Sequence, residues 1–209
     1  MTFPAADGRM LDGILTEARS QPAFAVVLVP MMGRSGDDWQ FVAQQLADAG
    51  ITALAIDDPA SGRQDAPAQM LRGHEAVAAA VAYLRSQPEN IRPDAIGLAG
   101  ASLGASLVVT AAASDPAVRS IALVSPALDY RGVRLEAAFG RYGNRPALLV
   151  ASVHDPYAAR SARLLAQDPS GPRELRWSGE AAHGTILLSR DADLVRALVE
   201  WFQLTLGVH

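Results

Sequence analysis

The stretch from Ala95 to Ala113, AIGLAGASLGASLVVTAAA, leaves the chain little freedom. It opens as a short apolar run with strand character and closes as an Ala/Leu/Val segment that suits a helix. Between them lies Gly100-Ala101-Ser102-Leu103-Gly104. A strand that becomes a helix over so few residues brings two backbones close together, and only small residues permit that. Here Gly100, Ala101, Gly104 and Ala105 are all small. A serine at the apex of such a turn holds a strained backbone and lifts its hydroxyl clear of the sheet. The helix that follows aims free N–H groups and the positive end of its dipole at the same point. The Gly-x-Ser-x-Gly pattern alone says less: with 17 glycines it arises by chance in about one such chain in ten. Its setting between strand and helix, and an acid and a histidine following in order, must carry the reading.

The rest of the chain alternates in the same way. Ala23–Pro30 (AFAVVLVP) and Ile51–Ile56 (ITALAI) are continuous apolar runs of the kind that form strands buried on both faces. Ser120–Val124, Pro146–Ser152 and the short Glu174–Trp177 read as further strands. Arg9–Ala18 reads as a strand or half of a hairpin after an Asp7-Gly8 turn. Asp37 and Asp38 are good N-caps for a helix with Trp39, Val42, Leu46 and Ala49 on one face, stopping at Gly50. Gln69–Ser86 is a second helix, with Met70, Val77, Val81 and Leu84 inward. Tyr157–Ala166 is another, and Asp191–Leu206 closes the chain with Leu194, Val195, Leu198, Trp201 and Phe202 on one side. Asp57–Pro67 and Gly179–Gly184 are loops. Ser125–Arg145 is the longest irregular excursion, rich in turn formers, with room for at most one short helix.

Strands alternating with helices predict an α/β fold: right-handed crossovers, a mainly parallel sheet and helices on both faces. No repeat, low-complexity tract or linker divides residues 1–209, so one domain is expected, with 126–145 as a short excursion. In such sheets sites form at the carboxyl ends of strands. Ser102, Asp155 and His183 each lie just past a predicted strand.

Composition narrows the functions. Half the residues are hydrophobic and 19% are charged, yet no run approaches the ~18 apolar residues of a membrane span. A net charge of −4 with no basic block argues against nucleic acid as a partner. The absence of cysteine removes disulfides, thiolate metal sites and a cysteine nucleophile together. Gly97–Gly104 lacks the full Gly-x-Gly-x-x-Gly spacing and the acid about twenty residues beyond it, which argues against a dehydrogenase. The opening MTFPAADGRM shows no basic segment leading into an apolar one, so a cytoplasmic location is the default expectation. Monomer and homodimer both remain open.

With Asp7-Gly8, the Gly36-Asp37-Asp38-Trp39 helix opening, the Gly-x-Ser-x-Gly turn and a late His183-Gly184 in this order, the chain resembles the α/β-hydrolase family along its whole length. The resemblance implies a single-domain α/β-hydrolase fold with little or no cap, similar in size to dienelactone-hydrolase-like members. It also implies a nucleophile at Ser102, an acid at Asp155 and a base at His183, in the family's order. Each has a rival. His154 adjoins Asp155 and competes for the base role, whereas His74 precedes the serine in mid-helix and His209 is the last residue. Asp129 is the rival acid, and Asp155-Pro156 is also an ordinary helix start. The family's oxyanion donors correspond here to the N–H groups of Leu103 and Met32. The His-Gly pair usual before the latter is replaced by Pro30-Met31, and Met31 and Met32 are then expected to line the substrate site. The implied activity is hydrolysis of carboxylic esters, short-chain ones given so small a cap, through an acyl-enzyme. Thioesterase or amidase action on the same machinery, or a non-catalytic binding member of the fold, are the alternatives. No cofactor or metal is implied; the partner is a small-molecule ester.

Overall fold

The structure is a computed structural model and describes residues 1–58 and 65–207. His209 and most of the predicted Asp57–Pro67 loop lie outside the described residues. The sheet strands are β1 (Thr2–Pro4), β2 (Met10–Thr16), β3 (Ala23–Val29), β4 (Ile51–Ile56), β5 (Ile91–Ala101), β6 (Val118–Val124), β9 (Ala147–Ser152) and β10 (Arg173–Ser178). Among the described residues they form one eight-stranded sheet in the order β1-β2-β4-β3-β5-β6-β9-β10. The run from β4 to β10 is parallel, and β1 and β2 pair antiparallel at one edge. The chain is therefore a single-domain α/β fold built on a mainly parallel sheet.

The side-chain alternation of the strands divides the core. Val26, Leu28, Ala99, Ala101, Leu148 and Val150 face one layer, built by α1 (Gln40–Asp48) and α7 (Ala192–Leu206). Val27, Val29, Leu98, Leu123 and Leu149 face the opposite layer, built by α2 (Ala66–Arg85), α3 (Leu103–Ser114) and α5 (Pro156–Ala166). Consecutive residues go to opposite layers because successive strand side chains point to opposite sides. Both sets are buried, which is why these strands carry no polar face.

Several boundaries differ from the sequence reading. Asp37 and Asp38 do not cap α1: the chain first makes a tight 3₁₀ turn over Gly36–Trp39, and the α-helix starts at Gln40. The Asp38 carboxylate is taken instead by Arg34. Helix α2 begins three residues earlier than expected because the Asp65 carboxylate accepts from the Ala68 N–H at 2.9 Å, with Pro67 in the first turn. Between β6 and β9 the excursion contains a small hairpin, β7 (Asp129–Tyr130) and β8 (Val133–Arg134), and one short helix, α4 (Glu136–Tyr142). No large cap is present among the described residues. A further short helix, α6 (Thr185–Arg190), follows His183-Gly184.

Arg145 anchors the far end of the excursion. Its guanidinium donates to the carbonyls of Ala112, Asp115, Val118 and Tyr142 at 2.7–3.1 Å and covers the Tyr142 ring. These bonds satisfy the C-terminal end of α3 and the start of β6, fixing the far end of the helix that follows Ser102.

The turn between β5 and α3 depends on close approach. A Cβ on Gly100 would lie 2.7 Å from the Ala105 nitrogen, and one on Gly104 would lie 2.5 Å from the Pro30 carbonyl oxygen. Alanine in place of Gly104 gains about 1 kcal/mol of helix propensity but must displace the backbone at the end of β3, which costs more. Gly104→Ala is therefore expected to lower stability by about 1–3 kcal/mol net, measured by urea denaturation. An unchanged or raised midpoint would contradict the packing described.

Candidate active site

Ser102 joins β5 directly to α3, with φ 54° and ψ −115°, a region that non-glycine residues enter only under constraint. Its N–H donates to the Val124 carbonyl at 2.9 Å, tying the apex of the turn to the end of β6. The hydroxyl is left free to point outward, and it lies 2.8 Å from Nε2 of His183. Nδ1 of His183 is 2.5 Å from Oδ2 of Asp155. The other oxygen of Asp155 accepts from the Ala158 N–H at 3.1 Å, so the carboxylate caps α5 and holds the imidazole at once. The fold thus brings together three side chains separated by as many as 81 positions in the chain.

The rival residues lie elsewhere or do other work. His154 is exposed next to Asp155, and the ring that reaches Ser102 is that of His183. His74 is half-buried in mid-helix. Asp129 accepts from the Gly132 N–H at 2.7 Å and serves the β7–β8 turn.

The loop carrying His183 is held from several sides. Ser152 at the end of β9 donates its hydroxyl to the Glu180 carbonyl and accepts from the His154 N–H at 3.0 Å. Ser178 at the end of β10 accepts from the Glu180 N–H at 3.1 Å and donates to Asp191 at 2.6 Å. Thr185 donates to Asp38 at 3.2 Å, and the same carboxylate receives two bonds from Arg34 at 2.6 and 2.8 Å. Asp38 thereby links the loop after β3 to the loop after β10. Proximity to Asp38 also raises the Arg34 pKa, first through the hydrogen bond itself. None of these serines was singled out by sequence, and Asp38 only as a helix cap, because their partners lie far along the chain and no local pattern marks these contacts.

Met31 and Met32 part company. Met31 is half-buried and packs toward Gly184, whereas Met32 is 48% exposed with its sulfur 3.3 Å from the Tyr130 hydroxyl. Tyr130 donates to Gln69 at 2.9 Å, and Tyr157 holds the hairpin at Asp129 through its hydroxyl. Gly33 takes φ 70°, and its N–H is used by Asp58 at 2.8 Å. Leu103 opens α3, where the first backbone N–H groups have no helical acceptor. The site is open: the His183 side chain is 48% exposed and that of Asp155 is 18% exposed. Among the described residues no cluster of His, Asp or Glu could hold a metal ion, and no helix is long and apolar enough to cross a membrane.

This fold is that of the α/β hydrolases. Residues 20–196 match the family described as serine aminopeptidase, S33, and the chain belongs to that family. A curated relative, the thiohydrolase apmlB of Arthrinium phaeospermum, is 32% identical over 130 residues, which span 60% of this chain and 42% of that protein. Among solved structures, the dienelactone hydrolase of Anabaena variabilis superposes with a TM-score of 0.78 at 18% identity, covering 98% of this chain and 96% of that one. Est1E of Butyrivibrio proteoclasticus, solved with ferulic acid bound, gives 0.81 at 15% identity, covering 99% of both chains. At such identities the structural likeness establishes the fold.

Gly184 combines two constraints next to His183: φ 60° with ψ −136°, and contact with the Met31 side chain. Gly184→Ala is expected to cost about 1–3 kcal/mol. Adding Met31→Ala should recover the part due to overlap and leave the part due to φ, a coupling that a double-mutant cycle reads directly. Strict additivity of the two changes would contradict the contact.

Proposed function

We propose that the protein is a serine hydrolase that cleaves small carboxylic esters through an acyl-enzyme, with Ser102 as nucleophile, His183 as base and Asp155 as acid. The observation that carries this reading is the continuous hydrogen-bonded chain from Ser102 Oγ through His183 to Asp155. As Ser102 Oγ attacks the ester carbonyl carbon, its proton passes to His183 Nε2. Asp155 keeps the Nδ1 proton in place and stabilises the imidazolium that forms. The tetrahedral oxyanion is held by the N–H groups of Leu103 and Met32. Its collapse expels the alcohol, which takes the proton from His183. Water then enters, gives a proton to His183 and attacks the acyl carbon; the acid departs and Ser102 recovers its proton.

Met32 acts here through its backbone, and its side chain, with Met31, shapes the acyl side of the cleft. The open site and the small excursion between β6 and β9 support a preference for short acyl groups. Each buried CH₂ contributes about 0.8 kcal/mol, so chain-length preference stops rising once the cleft is filled. Thioester cleavage uses the same steps, and the 32% identity to a thiohydrolase favours it as the second reading. Matched oxygen and sulfur esters of one acyl group separate the two.

Ser102→Ala and His183→Ala are each expected to lower kcat by about 10⁶, and Asp155→Asn by less, with folding intact by circular dichroism. Substantial turnover by His183→Ala would move the base role to His154. Met32→Ala should alter acyl preference more than rate, while folded Met32→Pro should lose about 10²–10³ in kcat. Full activity in that proline variant would remove Met32 from the oxyanion hole. A kcat/KM still climbing at long acyl chains would rule out the short-chain preference.

A further inference from the structure

Ser125 follows β6 directly, is 1% exposed, and holds φ 49° although it is neither glycine nor asparagine. A buried β-carbon in the left-handed region costs free energy, so something in the surroundings must hold it there. Its N–H donates to the Val150 carbonyl at 2.7 Å, continuing the β6–β9 pairing past the last regular position. Its hydroxyl is turned toward the histidine loop and accepts from the Gly184 N–H at 2.9 Å, a buried bond between residues 59 positions apart. Gly184 follows His183 directly. The residue before Ser125, Val124, accepts from the Ser102 N–H at 2.9 Å. Two adjacent residues at the end of one strand therefore grip the nucleophile turn with a carbonyl and the histidine loop with a hydroxyl.

We propose that Ser125 is a positioning residue for the proton transfer between Ser102 and His183: its strained backbone aims a buried hydroxyl at Gly184 N–H and thereby sets where the imidazole stands relative to Ser102 Oγ. Its effect on rate rests on the serine-hydrolase reading; its effect on the loop does not. An N–H buried without an acceptor is unfavourable, so loss of the hydroxyl drives Gly184 to seek another partner and moves the ring attached beside it. Proton transfer is sensitive to such movement, since a displacement near 1 Å can cost about a hundredfold in rate. The other serines of the loop, Ser152 and Ser178, hold Glu180 at its far end. Only Ser125 holds the residue next to the histidine among these three.

Two variants separate the hydroxyl from the strain. Ser125→Ala removes the hydroxyl and keeps the β-carbon at φ 49°, whereas Ser125→Gly removes the hydroxyl and relieves the backbone. Both are assayed with p-nitrophenyl acetate and a fluorophosphonate, and by amide exchange at Gly184 and the downfield proton resonance of the His183–Asp155 hydrogen bond. Expected for both are a kcat lower by about ten- to a hundredfold, KM within about twofold, slower labelling of Ser102, faster exchange at Gly184 and a broadened downfield resonance. Ser125→Gly should show these losses while melting no lower than the natural protein, which a purely structural role would not produce. Wild-type kcat in Ser125→Gly, with Gly184 exchange and the resonance unchanged, overturns the proposal. If the natural protein neither hydrolyses the ester nor labels at Ser102, the hydrolase reading has failed. The exchange and resonance measurements then still decide whether Ser125 holds the loop.

Discussion

The structure depends on one close approach: α3 leaves β5 with no loop between them, and the two backbones meet where Gly100 and Gly104 lack side chains. That contact forces Ser102 into φ 54°, and the strain is what turns its hydroxyl out of the sheet. Such a turn persists only if its surroundings over-determine it. Here the Val124 carbonyl holds the Ser102 N–H, and Arg145 satisfies the far end of α3 and the start of β6.

The functional geometry is then a matter of bringing loops from four parallel strands to one point. The ends of β3 and β6 flank the end of β5, β9 and β10 follow in order beyond β6, and each ends in a residue or loop that reaches another loop. Asp38 joins the β3 and β10 loops through Arg34 and Thr185, Ser125 joins β6 to Gly184, and Ser152 joins β9 to Glu180. Asp155 serves two masters, the α5 N-terminus and His183, so its carboxylate is fixed by the helix it caps. A parallel sheet suits this arrangement because all these loops emerge on one side.

Much of the fold was legible in the residues. Runs such as Ala23–Val29 and Ile51–Ile56 read as strands buried on both faces and are strands, and the order Ser102, Asp155, His183 placed each candidate after a strand, where the hydrogen-bonded chain is found. What was not legible is non-local. Asp38 looked like a helix cap because Asp before an apolar periodicity commonly is one, but Arg34 four residues back and Thr185 across the molecule compete for its carboxylate. Nothing in Ser125-Pro126 announces a positive φ, since that conformation is imposed by Val150 on one side and Gly184 on the other. The β7–β8 hairpin is similarly held from outside, by Tyr157 and Gln69, with too few residues to carry a strand pattern.

The central claim is that this strained turn presents Ser102 as an activated nucleophile. It is tested most directly by exposing the intact protein to a fluorophosphonate and mapping the adduct by peptide mass spectrometry. The account predicts one adduct per chain, on Ser102, formed far faster in the natural protein than in His183→Ala. An unmodified Ser102, or an adduct spread over other serines at rates indifferent to His183, would contradict it.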